Sequence, residues 1–310
     1  MGIPRISVIV PVYKGEECLD ELYRRLAASL GSFTQDFELV LVEDCGGDGS
    51  WEKIKALAAR DPRVRGFRFS RNFGQHYGIT AGLDEARGDW IVVMDCDLQD
   101  QPEDIPKLYK KALEGYDVVL ALRTDRKDSL FKRFTSYLFF KLFRYLSGLD
   151  YDADAGNFRI ISRKVADNYR QMRENLRLFG GLVTWMGFPT ASIEANHAER
   201  LAGKSSYSFN KLVQLAFETI IAYSDKPLRI TVKLGILISL GAFGFGIYFV
   251  IENLMYGQPV AGWSSLIVSL YFLSGVIIST LGIIGIYLGK VFDEVKRRPL
   301  YIIADRTDAT

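Results

Sequence analysis

Trp90-Ile91-Val92-Val93-Met94-Asp95-Cys96-Asp97-Leu98-Gln99 joins an apolar run to a pair of carboxylates. The run from Trp90 to Met94 reads as a buried strand of a parallel sheet. In an extended chain residues i and i+2 point the same way, so Asp95 and Asp97 are expected to converge on one cation. Gln99 continues the alternation and offers a third oxygen. Pro102 follows, and Glu103 then falls in the first turn of the next helix. Open α/β sheets bind ligands beyond the carboxyl ends of their strands. Two acids there suggest a divalent metal holding a diphosphate. The plain alternative is a pair of loop acids capping the next helix.

The flanking sequence repeats this strand–loop–helix pattern. Ile6 to Val12 is apolar and β-branched, Tyr13–Glu17 is a turn, and Leu19 to Leu30 has helical periodicity. Phe37 to Val42 is a second strand, ending in the acidic, glycine-rich run Glu43–Ser50, where Ser50 can cap a helix. Val64 to Phe69 is a third strand, Arg71–Gly74 leads into a helix, Gly88-Asp89 turns the chain, and a further strand spans Asp117 to Leu122. Strand and helix in regular alternation predict a doubly wound α/β domain with right-handed crossovers. Three loops, Tyr13–Glu17, Glu43–Gly49 and Asp95–Gln99, then gather at one sheet edge. Glycine turns and a helix N-terminus there suit an anionic ligand such as a nucleotide. No GxGxxG follows the first strand, which disfavours a nicotinamide enzyme.

The remaining bounds come from composition. A net charge of +2 argues against nucleic acid as a partner. Three scattered cysteines, Cys18, Cys45 and Cys96, fit a reducing compartment rather than a disulfide framework. Two histidines, His76 and His197, make a His/Cys zinc site a poor fit, and both read as structural rather than catalytic. The chain enters a strand pattern at once, with no signal-peptide pattern before it.

From Ser129 the character changes. On a helix Phe134, Leu138, Leu142 and Tyr145 lie within about 80° of one another, with Arg133 and Arg144 on a different face. A basic amphipathic helix of this kind is expected to lie in a membrane interface. Leu234–Ile251 and Trp263–Leu288 carry no charge, and each is near or above the ~20 residues that span a bilayer. Lys226, Arg229 and Lys233 precede the first, and Lys290, Lys296, Arg297 and Arg298 follow the second. The positive-inside rule then places both flanks in the cytoplasm, with a short outside loop. Glycines recur in both runs and would permit close packing, within the hairpin or in a homo-oligomer.

Pro11-Val-Tyr-Lys-Gly-Glu-Glu17, Glu43-Asp44, Asn72-Phe-Gly74, Ala81-Gly82-Leu83, Gly88-Asp89, Asp95-Cys-Asp-Leu-Gln99 and Arg200-Leu-Ala-Gly-Lys-Ser-Ser-Tyr207 form a series. With the terminal hairpin, it resembles the polyprenyl-phosphate glycosyltransferases of glycosyltransferase family 2. These include the dolichyl-phosphate mannose synthase-like and undecaprenyl-phosphate glucosyltransferase-like enzymes. The resemblance covers nearly the whole chain. It implies a GT-A fold, a nucleotide-sugar donor, a polyprenyl phosphate acceptor, Mg²⁺ or Mn²⁺, and transfer with inversion. By the same resemblance Pro11, Tyr13, Glu17 and Asp44 line the base and ribose, and Asp95, Asp97 and Gln99 hold the metal or, through it, the diphosphate. Arg123 and Arg133 grip the acceptor phosphate, while Arg200, Lys204 and Ser205 close over the donor phosphates. Several members carry Asp where this chain has Asn157, beside the sugar; Asn can hydrogen-bond a hydroxyl but cannot act as a base.

The expected organisation is a GT-A nucleotide-sugar core over 1–128 and an acceptor and interfacial part over 129–226. Two transmembrane helices follow over 227–290, and a cytoplasmic tail over 291–310. The protein is expected in the inner (plasma) membrane, with its catalytic part on the cytoplasmic face. Competing expectations are a processive polysaccharide synthase, which would need more spans and a Gln-x-x-Arg-Trp motif, and a non-catalytic sugar-nucleotide-binding scaffold.

Overall fold

The computed structural model describes residues 6–123, 141, 145–146, 155–195, 220–221, 224–256 and 262–308. In chain order the elements are β1 (Ile6–Val12), α1 (Leu19–Gly31), β2 (Phe37–Glu43), α2 (Ser50–Arg60), β3 (Val64–Phe69), α3 (Gln75–Glu85) and β4 (Trp90–Val93). Then come α4 (Ile105–Ala112), β5 (Val118–Arg123), β6 (Ala155–Ser162), α5 (Arg163–Gln171), α6 (Phe179–Trp185) and β7 (Thr190–Ala195). The chain ends with α7 (Lys226–Tyr256), α8 (Trp263–Val295) and β8 (Ile303–Arg306). These fall into two units: β1–β8 with α1–α6, and the pair α7 and α8.

The first unit is one eight-stranded sheet in the order β7-β5-β6-β4-β1-β2-β3-β8. β1, β2, β3 and β4 are mutually parallel, as the strand–helix alternation predicts. Every residue of β1 and β2 is buried, which is why both strands read as continuous apolar runs. Helix α3 lies close on β1: a Cβ on Gly82 would stand 2.2 Å from Ile9 Cγ2, so only glycine admits this approach. One polar knot sits inside the sheet. Ser7 Oγ donates to Glu38 (2.6 Å), Arg65 Nη1 pairs with the other Glu38 oxygen (3.1 Å), and the Arg87 and Gly88 amides donate to Glu38 and Ser7. Each buried polar group of this knot thereby has a partner, as burial demands.

Around the parallel strands that the alternation predicts, the sheet is mixed. β6 lies antiparallel between β4 and β5, and β8 runs antiparallel along β3. Because β6 runs the other way, its first residues lie at the edge where β4 and β5 end. The segment after α8, set apart above as a tail, supplies β8 and belongs to the first unit. The reason is that β3 would otherwise present an open row of backbone groups.

In the second unit α7 and α8 contact one another, and Tyr287 donates its hydroxyl to the Ser224 carbonyl at 2.7 Å. Residues 226–248 and 269–295 have mean hydropathies of 1.9 and 2.0, long and apolar enough to cross a membrane. None of either apolar window is buried among the described residues, unlike the core helices of a soluble protein. The expected interfacial helix from Ser129 lies outside the described residues.

Candidate active site

The carboxyl ends of β1, β2 and β4 deliver the three loops to one edge, and hydrogen bonds lace the first two together. Glu16 accepts from the Gly49 amide (2.9 Å), Asp48 accepts from the Glu16 amide (3.2 Å) and the Ser50 hydroxyl (2.8 Å), and Ser50 Oγ accepts from the Gly15 amide (3.1 Å). The loops touch so closely that a Cβ on Gly46 would meet the Lys14 amide nitrogen at 2.7 Å. Tyr13, exposed at the tip of the first loop, and Glu17, also exposed, face solvent; Pro11 is buried against Gly78.

Asp44 is buried, and its two oxygens accept from the backbone amides of Phe73 (2.6 Å) and Gly74 (2.8 Å). Asn72 Nδ2 donates to the Asp44 carbonyl at 3.2 Å. Burial raises the carboxyl's pKa, and the two amides work against that shift. Asp44 thus shapes the 71–74 loop, the start of α3 and the rim of the edge.

The paired acids are held differently from the extended alternation expected of them. The strand stops at Val93, residues 96–97 form a turn, and buried Leu98 has a left-handed φ of 60°. Asp95 therefore precedes the turn and Asp97 lies in it, past the end of the strand, instead of both lining one strand face. The Gln99 amide donates to Asp97 Oδ1 (3.1 Å), and Gln75 Nε2 donates to Asp95 Oδ1 (2.6 Å). Cys96, between the acids, tucks its thiol beneath the first loop, 3.3 Å from where a Gly15 Cβ would be, and receives the Tyr13 amide. Burial pushes that thiol's pKa up to about 12, so it stays protonated. Among the described residues no three His, Cys, Asp or Glu side chains cluster to hold a metal ion. Two carboxylates on a turn fit an ion completed by substrate phosphates, the mode in which Mg²⁺ is usually bound.

Register carries two more residues to this edge. Val93 pairs with Arg159, so Asn157, two residues earlier on the antiparallel strand, stands level with Asp95. β5 ends at Arg123, three residues past the Leu120–Arg159 pair. Behind Asn157, Arg159 is buried, donates to the Gly156 carbonyl (2.7 Å), and lies 5.0 Å from the Phe179 ring centre. Arg177, also buried, donates to the Thr80 hydroxyl (2.8 Å), the Tyr169 hydroxyl (3.3 Å) and the Met172 carbonyl (2.6 Å). These cations and the packing round its ring, the packing most of all, lower the His76 pKa to about 4; its Nδ1 accepts from the Phe179 amide at 3.5 Å.

Arg133, Arg200, Lys204, Ser205 and His197 lie outside the described residues. Sequence reasoning missed Gln75, Asp48 and Ser50 Oγ as loop partners. Only Ser50 had a signal, its capping position, and its hydroxyl is used on a neighbouring loop instead.

A mixed α/β sheet with phosphate-suited loops and an Asp-x-Asp turn at the end of a central strand is the GT-A arrangement of nucleotide-sugar glycosyltransferases. The chain belongs to glycosyl transferase family 2: residues 7–170 match that family's model. It is 40% identical to the uncharacterized glycosyltransferase YkcC of Bacillus subtilis, across 96% of this chain and 92% of that one. It is 38% identical to the bactoprenol glucosyl transferase of Shigella phage SfII, across 96% and 97%. To the undecaprenyl-phosphate 4-deoxy-4-formamido-L-arabinose transferase of Shewanella sediminis it is 35% identical, across 98% and 93%. The chain is a glycosyltransferase.

Proposed function

We propose that the protein transfers a hexose from a UDP- or GDP-sugar to the phosphate of a membrane polyprenyl phosphate, with inversion and with Mg²⁺ or Mn²⁺. The observation that carries this reading is the convergence, in a chain with two membrane-length apolar helices, of the Asp95/Asp97 turn and the laced nucleotide loops at one sheet edge. Likeness over nearly full length to relatives named for bactoprenol and undecaprenyl phosphate supports the acceptor.

In this reading Tyr13, Glu17 and the Asp44-shaped rim receive the nucleoside. Asp95, Asp97 and Gln99 would hold the ion, which when bound supplies positive charge to the departing diphosphate. Gln75 fixes the rotamer of Asp95 before the donor arrives, and the Gln99 amide does the same for Asp97. Arg200, Lys204 and Ser205 close over the donor phosphates, and Arg123 and Arg133 hold the acceptor phosphate. A phosphate oxygen of the lipid forms a bond to the anomeric carbon while the bond from that carbon to the diphosphate breaks, the electron pair leaving with the nucleoside diphosphate. The nucleophile is already anionic at neutral pH, so no base is needed. This accommodates Asn157, which can donate to a sugar hydroxyl, and a His76 that is neutral at pH 7. The helices α7 and α8 anchor the enzyme in the inner membrane, with the sheet on the cytoplasmic side.

The test is transfer of radiolabel from a panel of UDP- and GDP-hexoses into the organic phase by purified protein with undecaprenyl phosphate. Transfer from one donor, lost in EDTA and restored by Mg²⁺ or Mn²⁺, is expected. Nucleotide binding with no lipid-linked product from any donor would overturn the acceptor assignment, and full activity in EDTA would overturn the metal.

A further inference from the structure

The segment after α8 does more than complete the sheet. β8 pairs with β3 through Phe67–Arg306, Arg68–Asp305 and Phe69–Ile303, and the Ser70 amide donates to the Ile302 carbonyl at 3.0 Å. Just before the strand, the Tyr301 ring stacks on Phe69 (centroids 5.2 Å apart, planes 23°). Phe69 in turn meets Phe73 edge-on at 5.4 Å. Phe73 is the residue whose amide donates to Asp44 at 2.6 Å. The Tyr301 hydroxyl donates to Asp84 (2.6 Å), a carboxylate also gripped by both Arg173 terminal nitrogens (2.8 and 2.9 Å), so the ring is clamped at both ends. A continuous file of three rings therefore runs from the segment after the second apolar helix to the loop that Asp44 shapes.

We infer that Tyr301 is a positioning residue for the donor nucleotide: its ring, through Phe69 and Phe73, holds the 71–74 loop and Asp44 in the binding geometry. The inference rests on the donor-site reading above. Its physical basis is that the 71–74 loop is exposed at Arg71 and Asn72 and only half-buried at Phe73, whose ring otherwise meets the Arg71 guanidinium (4.0 Å) and the Tyr77 ring (6.4 Å). Phe69, by contrast, is fully buried, and Tyr301 stacks on its ring. An aromatic contact of this geometry contributes enough to change an affinity by about three- to tenfold when it orders a binding loop.

The experiment uses the full chain in detergent or nanodiscs. UDP and GDP are titrated into wild type, Tyr301→Ala, Tyr301→Leu, Tyr301→Phe and Asp308→Asn, with the thermal midpoint of each sample and the donor KM and kcat measured alongside. Asp308 pairs with Arg65 (3.0 Å) further along the same segment, so Asp308→Asn loosens its docking without touching the rings. Expected is a rise of about three- to tenfold in nucleotide Kd and donor KM for Tyr301→Ala and Tyr301→Leu, with kcat within about twofold. Tyr301→Phe, which keeps the ring, and Asp308→Asn should bind as wild type does. If Tyr301→Ala does not fold, Tyr301→Leu carries the comparison. Unchanged affinity in the folded Ala or Leu variant, or equal weakening in Asp308→Asn, overturns the inference. Wild type that binds neither UDP nor GDP overturns the donor-site reading with it.

Discussion

At the scale of single residues, the site is a set of carboxylates whose orientation is fixed by neighbours that carry no charge. If Asp97 holds the ion as proposed, Asp97→Asn removes a ligand charge at the diphosphate, and turnover should fall by several orders of magnitude while the thermal midpoint holds. Gln75→Leu is subtler. It removes the 2.6 Å hydrogen bond to Asp95 and leaves the acid in place. A lost hydrogen bond to a charged group costs about 1.5–3 kcal/mol, so kcat should drop about ten- to a hundredfold with nucleotide binding weakened less. Equal loss in both would move Gln75 from orienting Asp95 to contacting donor. His76 sets a pH dependence of stability. Its folded pKa of about 4 lies below the ordinary 6.5, so the unfolded chain binds the extra proton first. The stability its neutral ring contributes is whole above pH 6.5 and is lost as pH falls through about 4. His76→Phe should therefore flatten the wild-type decline of the melting temperature between pH 6.5 and pH 4, a difference read by scanning both proteins across that window. At this scale the sequence was legible in placing Asp95 and Asp97 just past the end of a buried strand. It was silent on Gln75, because a carboxamide twenty positions from its partner carries no local pattern.

At the scale of elements, the parallel strands β1 to β4 were readable because burial on both faces forces continuous apolar runs, and their ends fell within a residue or so of the periodicity. The direction of β6 was not readable: apolar Phe158, Ile160 and Ile161 look the same on a strand running either way. Nor was the shape of the Asp-x-Asp segment. Leu98 at a φ of 60° is a conformation that side chains with a Cβ adopt rarely, and nothing in its identity signals it. The α3–β1 contact gives a test at this scale. Gly82→Ala drives a methyl to 2.2 Å from Ile9 Cγ2, and α3 must shift to accept it. The cost should be about 1–3 kcal/mol. Because α3 also carries Gln75 towards Asp95, the shift should lower both melting temperature and turnover. Gly82→Ala with Ile9→Ala should lose less stability than the two single losses added together, whereas full wild-type stability in Gly82→Ala would show that the helix has slack here.

At the scale of the whole molecule, two facts set the frame: one sheet edge collects the phosphate-suited loops, and two uncovered apolar helices follow. If these helices cross the inner membrane as proposed, the chain between them faces outward and the sheet faces the cytoplasm. In a variant lacking the native cysteines, a cysteine at Gln258 should react with an impermeant thiol reagent on intact cells, and one at Ala304 only after lysis; the opposite pattern would reverse the orientation. The hairpin was the plainest feature of the sequence, since length and lack of charge suffice to read it. The return of the chain to the sheet was hidden, since Ile303–Arg306 is a short, half-charged stretch that has no strand signal until β3 stands beside it. That return also imposes an order in time. Gly66 and Thr307, joined by a 2.8 Å hydrogen bond, are 241 residues apart in the chain. The ribosome must therefore make both apolar helices before it makes the strand that closes the sheet. Domains fold as they emerge, so β3 waits with its edge open while both apolar helices are being made. Completion of the sheet thus comes only after both apolar helices have been synthesised, and a chain cut short within them is left with a sheet that any passing strand can extend.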